Sequence, residues 1–257
     1  QLESFCNTLH PTIAQMVTAI FEEMKLAGEA GSLLKIEQEI SSLVAAAKKQ
    51  FHDNPPDKKT QMQLFGDADS GKQQLEFDLS GITEEQFFER AEEEIYEALR
   101  KYASETSEGG FARKLFANDA EKGFAFIECM KTRYDVALMN PPFGASSAGS
   151  KNYINGAYPA TKGDLLANFV ERMSAVATPA GLVGAISSRT PFFLGSFDGL
   201  RESVLANDAF VSLLADLGEG VLDATVEVAI YVLNKQPSKQ SIFFRVLLEQ
   251  DKGIALL

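Results

Sequence analysis

Cysteine, histidine and long apolar runs are all scarce in this chain of 257 residues, and each scarcity removes a class of explanation. Cys6 and Cys129 are the only cysteines and have no ligand-like spacing. A disulfide framework is therefore excluded, and two buried, inert thiols in a reducing cytoplasm are expected. His10 and His52 lie far apart with no companion ligands, so neither a metal centre nor a histidine-based triad is expected. No apolar run reaches the length of a bilayer span, and no basic start leads into an apolar stretch. Bases are also few: 24 against 36 acids, a net charge of −12. That balance argues against a simple DNA-binding module, because phosphate contacts need clustered Lys and Arg. The imbalance is uneven along the chain. Residues 1–130 hold 24 acids and 13 bases, whereas residues 131–257 hold 12 acids and 11 bases.

The 45% hydrophobic content is that of an ordinary globular protein, and the pattern of apolar residues divides the chain into two halves. The first half reads as helical. Phe5, Leu9, Ile13, Val17, Ile20 and Met24 form a loose helical stripe over residues 2–27, and Leu33, Ile36, Ile40, Leu43, Val44 and Ala47 form a tighter one. The run Asp53-Asn54-Pro55-Pro56-Asp57 opens a flexible loop over about 53–81. Thr83-Glu84-Glu85-Gln86 has capping-box spacing and opens a helix carrying Phe87, Phe88, Ala91, Ile95 and Leu99 on one face. We therefore expect a helical lobe over 1–110.

The remainder, 111–257, alternates short apolar runs with helical stretches, as an α/β sheet does. Strands are expected at 134–139, 182–187, about 210–216, 226–233 and 241–248. Helices are expected from Gly163-Asp164 through Met173 and near 198–206, with Pro179-Ala180-Gly181 as a turn.

The chemistry rests on a strand that runs straight into Asn140-Pro141-Pro142-Phe143-Gly144. An exocyclic amine on a base is a poor nucleophile because its lone pair is delocalised into the ring. A catalyst must accept hydrogen bonds from the NH2 so that the nitrogen turns its lone pair toward an electrophile. The Asn140 side-chain carbonyl can accept one hydrogen and the Pro141 backbone carbonyl the other. Pro141 and Pro142 fix their own φ, keep the preceding residues extended and bring no N–H to compete. Phe143 can stack on a base flipped out of its helix. In open α/β sheets ligands bind beyond the carboxyl ends of strands, which is where this loop falls. The bland alternative is a strand-ending turn, since Asn and Pro favour turns.

With this tetrapeptide the sequence resembles the amino-methyltransferases that act on DNA, and among them the large adenine-N6 methylases of restriction-modification and BREX (phage-growth-limitation) defence systems. Residues 121–144, from Glu121-Lys122-Gly123-Phe124 to the loop, resemble that group's approach to its catalytic strand. Lys162-Gly163-Asp164-Leu165, Gly184-Ala185-Ile186-Ser187-Ser188-Arg189-Thr190 and Asp216-Leu217-Gly218-Glu219-Gly220-Val221 extend the match over 115–235. The resemblance implies the later strands of a Rossmann-like class I methyltransferase sheet, beside an N-terminal helical insertion. It also implies methyl transfer from S-adenosylmethionine to N6 of a flipped adenine in double-stranded DNA, with no metal.

The glycine-rich turn and following acid that hold S-adenosylmethionine in that group are not found in the chain. Gly218-Glu219-Gly220 reads as a plain turn. The chain by itself is thus expected to be inactive, and lost strands would expose an edge through which it self-associates. Asp164 and Phe169 are candidates for the cofactor wall, against a helix cap and a core aromatic. Arg189 fits a phosphate or an ordinary surface position. Two other functions use the same residues: methylation of a protein glutamine or an RNA base, and a non-catalytic interaction module built on the acidic half.

Overall fold

In the computed structural model the described residues are 2–7, 11–39, 41–42, 45, 122–123, 125–221, 226–237 and 240–246. The loop expected at 53–81, the helix expected at 83–99, His10 and His52 lie outside them. The chain divides into two compact units, Gln1–Lys25 with Lys35–Cys129, and Leu26–Leu34 with Met130–Leu257.

In the first unit, helix α1 (Leu2–Cys6) is followed by α2 (Pro11–Met24), whose proline at the first position has no N–H to leave unpaired. Phe5, Val17 and Ile20 are buried, as the stripe expected over 2–27 requires. Cys6 is partly buried, with Sγ 3.5 Å from the Thr18 hydroxyl oxygen. Cys129 is exposed, contrary to the expectation of two buried thiols, because it lies on the polar side of a helical turn whose buried residue is Ile127.

In the second unit, a short helix α3 (Ala27–Ala30) and a 3-10 turn (Gly31–Leu33) precede a five-stranded mixed sheet. Its strands are β1 (Tyr134–Met139), β2 (Ala177–Ser188), β3 (Phe210–Gly218), β4 (Val228–Asn234) and β5 (Ile242–Arg245), in the order β1-β2-β4-β3-β5. β1 and β2 are parallel, β4 runs antiparallel to both β2 and β3, and β5 is parallel to β3. Parallel neighbours need a long crossover. Helices α4 (Lys151–Ala157) and α5 (Leu165–Val176) provide it between β1 and β2.

Strand alternation sends Ala137, Val183, Ala185, Tyr231 and Leu233 to one face, where they pack with Leu166, Ala167 and Val170 of α5. Leu200 of α6 (Asp198–Leu200) and Val204 of the π-helical turn after it (Arg201–Leu205) complete this core. Tyr231 meets Phe192 edge to face at 5.0 Å, and burial pushes its phenol pKa up to about 12, so it stays neutral. The opposite face is apolar but open near the β1 edge: Leu138 is 80% exposed and Val136 56%.

The expected strands and helices of the second half all form. One local feature differs. Pro179-Ala180-Gly181 does not separate two elements but lies within β2, where the register jumps from Tyr134↔Ala177 to Val136↔Leu182. The extra residues are looped out as a bulge. Gly181 is required there, since a Cβ would come within 3.0 Å of the Tyr134 and Thr178 backbone.

Gly199 makes the tightest approach: a Cβ there would lie 2.0 Å from the Ala160 carbonyl oxygen. Backbone cannot yield as a side chain can, so Gly199→Ala is expected to destabilise the fold by about 1–3 kcal/mol. A urea titration of both proteins measures this, and coincident midpoints would contradict the close approach.

Candidate active site

β1 ends at Met139, paired with Ala185 of β2, so the chain leaves the sheet at Asn140 beside the upper part of β2. No peptide bond among the described residues is cis, so Pro141 and Pro142 are both trans. Pro141 is buried, which seats the loop, whereas Asn140, Pro142 and Phe143 face solvent, Phe143 at 44% exposure. The Asn140 carboxamide has no hydrogen-bond partner among the described residues. All four residues expected to form the catalytic loop thus sit on one short segment, with the Asn acceptor and the aromatic ring both accessible.

The far end of this segment is fastened to α5. Gly144 takes φ +92°, a conformation that favours glycine. Its carbonyl accepts from the Leu165 N–H at 2.8 Å. Asp164, the N-cap of α5, accepts from the Leu166 N–H at 2.9 Å. Partial burial raises its pKa, while backbone hydrogen bonds from Leu166 and Gly144 oppose that and favour the carboxylate. Asp164 is therefore a helix cap that also meets the loop. Phe169 lies five residues further on, half-buried on α5.

Past the loop, Ser147 hydrogen-bonds the Glu29 carboxylate and lies 2.8 Å from the Ser150 hydroxyl. The turn after α3 is held as firmly. The buried Tyr158 hydroxyl donates to the Leu33 carbonyl at 2.7 Å, and buried Arg172 donates from Nε to the Ser32 carbonyl at 2.9 Å. Sequence reasoning missed this role of residues 26–34. Backbone carbonyls do the bonding, and these leave no trace in side-chain identity.

At the same end of the sheet β2 runs into Arg189. Its guanidinium lies 2.8 Å from the buried Asp216 carboxylate, pairs with Glu227, and sits 5.7 Å from the Phe193 ring centre. Arg245 of β5 approaches the same Asp216 oxygen at 3.1 Å. These partners, Asp216 foremost, hold the Arg189 proton more tightly than usual. Arg189 is thus an internal tie between β2, β3 and β4, neither a bare surface group nor an open phosphate contact. Gly218, the last residue of β3, and Gly220, in the bend after it, take positive φ, as the turn reading expects. Among the described residues there is no cluster of three or more His, Cys, Asp or Glu placed to hold a metal ion, and no helix long and apolar enough to cross a membrane.

The family model for the Eco57I restriction-modification methylase matches residues 35–221, well over half of the chain. The adenine-specific methyltransferase PglX of Lacticaseibacillus casei (strain Zhang) is 28% identical over 116 residues, covering 42% of this chain and 10% of that protein. The adenine-specific methyltransferase BrxX of Escherichia coli O9:H4 (strain HS) is 26% identical over 129 residues, covering 47% of this chain and 11% of that protein. The chain thus spans about a tenth of the length of the curated relatives it matches. A class I S-adenosylmethionine-dependent methyltransferase from Listeria monocytogenes aligns over 96% of both chains at 10% identity, with a TM-score of 0.41.

The Arg189 tie has a measurable weight. Arg189→Ala leaves buried Asp216 with Arg245 as its remaining cation, at an expected cost of about 1.5–3 kcal/mol for the lost charged hydrogen bonds. Chemical denaturation reads the difference, and an unchanged midpoint would show that the tie carries nothing.

Proposed function

The chain belongs to the Eco57I restriction-modification methylase family, and from that premise we propose that the intact protein methylates N6 of adenine in double-stranded DNA. The observation that carries this reading is the placement of Asn140. An exposed carboxamide stands at the carboxyl end of a strand, beside a proline carbonyl and an accessible aromatic. Adenine inside a duplex cannot reach such a loop, so the target base is flipped out before reaction. Phe143 then stacks on the ring. The Asn140 Oδ1 accepts one amine hydrogen and the Pro141 carbonyl the other, which orients the nitrogen lone pair for an in-line displacement. Catalysis of this kind rests on position and on fixed dipoles.

S-adenosylmethionine, when bound, supplies the electrophilic methyl group. Of the two candidate cofactor contacts, Asp164 already accepts from two backbone amides, which leaves Phe169 as the freer of the pair. The acceptors suit the amine in another respect: neither the Asn140 carbonyl nor the Pro141 carbonyl carries a full charge, so neither removes the proton before the new bond forms. A reducing, cytoplasmic setting in a phage-defence or restriction-modification system is the context that fits such an enzyme. The open face bearing Val136, Leu138 and Leu182 is where a self-association of this chain would bury apolar surface.

The test is N6-methyladenine formation on mixed-sequence DNA by the full-length protein, beside its Asn140→Ala variant. Loss of one preorganised hydrogen-bond partner is expected to lower turnover by about 100-fold or more. A folded parent that binds S-adenosylmethionine and leaves DNA unmarked would move a protein glutamine or an RNA base to the front.

A further inference from the structure

The Asn140–Gly144 segment is short, and its orientation is set by what grips its two ends. At one end Met139 is locked into the β1–β2 ladder. Between the ends, Pro141 and Pro142 have fixed φ angles and contribute little freedom of their own. The other end is Gly144, whose carbonyl accepts at 2.8 Å from the N–H of Leu165, the first residue of the helix that Asp164 caps. Asp164 in turn is fixed by the Leu166 N–H at the start of a 12-residue helix whose body is buried in the core. A rigid helix thus holds the loop through its first amide, in the turn that the Asp164 carboxylate caps.

We propose that Asp164 is a positioning residue for the catalytic loop: it acts through Gly144 to hold Asn140 and Pro141 in place and is not a ligand of S-adenosylmethionine. The inference rests on the functional reading given above for what the loop does, but the clasp itself is a property of the fold. Three geometric features support it. Asp164 has extended backbone angles, φ −143° and ψ 129°, which direct its side chain back over the first turn of α5, as in other capped helices. Gly163 before it takes φ +115°, so the chain turns sharply to bring Asp164 to that position. Gly144 has open space where a Cβ would go, so its conformation is imposed by backbone geometry and not by crowding.

Displacing reacting atoms by about 1 Å can cost on the order of 100-fold in rate. Releasing the clasp should therefore act on turnover and leave cofactor affinity alone. In the full-length protein, Asp164→Ala is expected to lower kcat by roughly 10- to 100-fold, with the Kd for S-adenosylmethionine, by calorimetry, staying close to the parent's. Asp164→Asn keeps the capping oxygen, and because Asn caps helices about as well as Asp, it should recover most of the rate. Gly144→Ala should reproduce the Asp164→Ala defect with the carboxylate intact, since alanine tolerates φ +92° poorly.

Parent-like kcat in Asp164→Ala overturns the inference. So does a rise in Kd that accounts for the lost rate and is not rescued by Asn, the signature of a direct ligand. If Asp164→Ala does not fold, the other two variants decide, and full turnover by Gly144→Ala overturns the proposal. Hydrogen exchange keeps the test separate from the functional reading. The amides of Gly144 and Leu165 should exchange faster in Asp164→Ala even if the parent proves inert toward DNA, and unchanged protection there overturns the clasp.

Discussion

The parallel ladder between β1 and β2 sets the level at which the Asn140–Gly144 loop leaves the sheet. Val136, Ala137, Leu138 and Met139 pair in step with Leu182, Val183, Gly184 and Ala185. Side chains alternate along a strand, so a slip of one residue would turn Ala137 out of the core and bring Val136 and Leu138 in. It would also raise or lower Asn140 by more than 3 Å relative to Ser187 and Arg189. The bulge at Pro179–Gly181 absorbs the surplus residues of β2 below this region, so the upper four pairs stay regular. Small residues help: Ala137 and Ala185 let α5 pack close to the sheet, and α5 carries the cap that meets Gly144. Register, helix packing and loop position are in this way one constraint.

A second set of interactions closes the same end of the sheet with charge. Asp216 is fully buried on β3 and would be strongly disfavoured alone. Arg189 from the end of β2 and Arg245 from β5 share one of its oxygens, and the Gly218 N–H bonds the other at 3.2 Å. Glu227, just before β4, completes the balance around Arg189. Antiparallel insertion of β4 between β2 and β3 is what places the start of β4 next to the ends of its neighbours, so that one network ties four strands. Such a network adds little net stability beyond what an apolar cluster would, but it tolerates only one arrangement of strand ends.

Periodicity and turn chemistry made the sheet legible in advance. The strand at 134–139, the helix entered through Gly163-Asp164 and the later strands follow directly from short apolar runs and one capping residue. The candidate loop stood out for a different reason: the chemistry proposed for it needs an unusual string of residue types, and composition alone rarely supplies it. What could not be read was mostly carried by the backbone. The Leu165–Gly144 bond, the Ser32 and Leu33 carbonyls that take Arg172 and Tyr158, and the bulge within β2 all depend on geometry that many sequences could adopt. Arg189 was ambiguous because an arginine at a strand end can face either way. Only the placement of Asp216, 27 residues later, resolves it.

The distribution of positive charge bears on how such a domain would engage DNA. Within 131–257 there are 11 bases. Arg189, Arg201, Lys235 and Arg245 are committed to carboxylates inside the unit, and Arg133 and Arg172 to backbone carbonyls. Lys151, which opens α4, and Lys162, just before the Asp164 cap, are exposed and both follow the Asn140–Gly144 segment in sequence. A protein that holds duplex DNA through its phosphates commonly makes about 6–10 such contacts. Lys151 and Lys162, the two exposed lysines that follow the loop among the described residues, fall well short of that. On the proposed reading, then, the described part of this unit handles the flipped base and contributes little of the grip. Affinity and sequence choice would come from other parts of the intact protein, and the loop could keep neutral acceptors at Asn140 and Pro141 without working against a strongly basic surround.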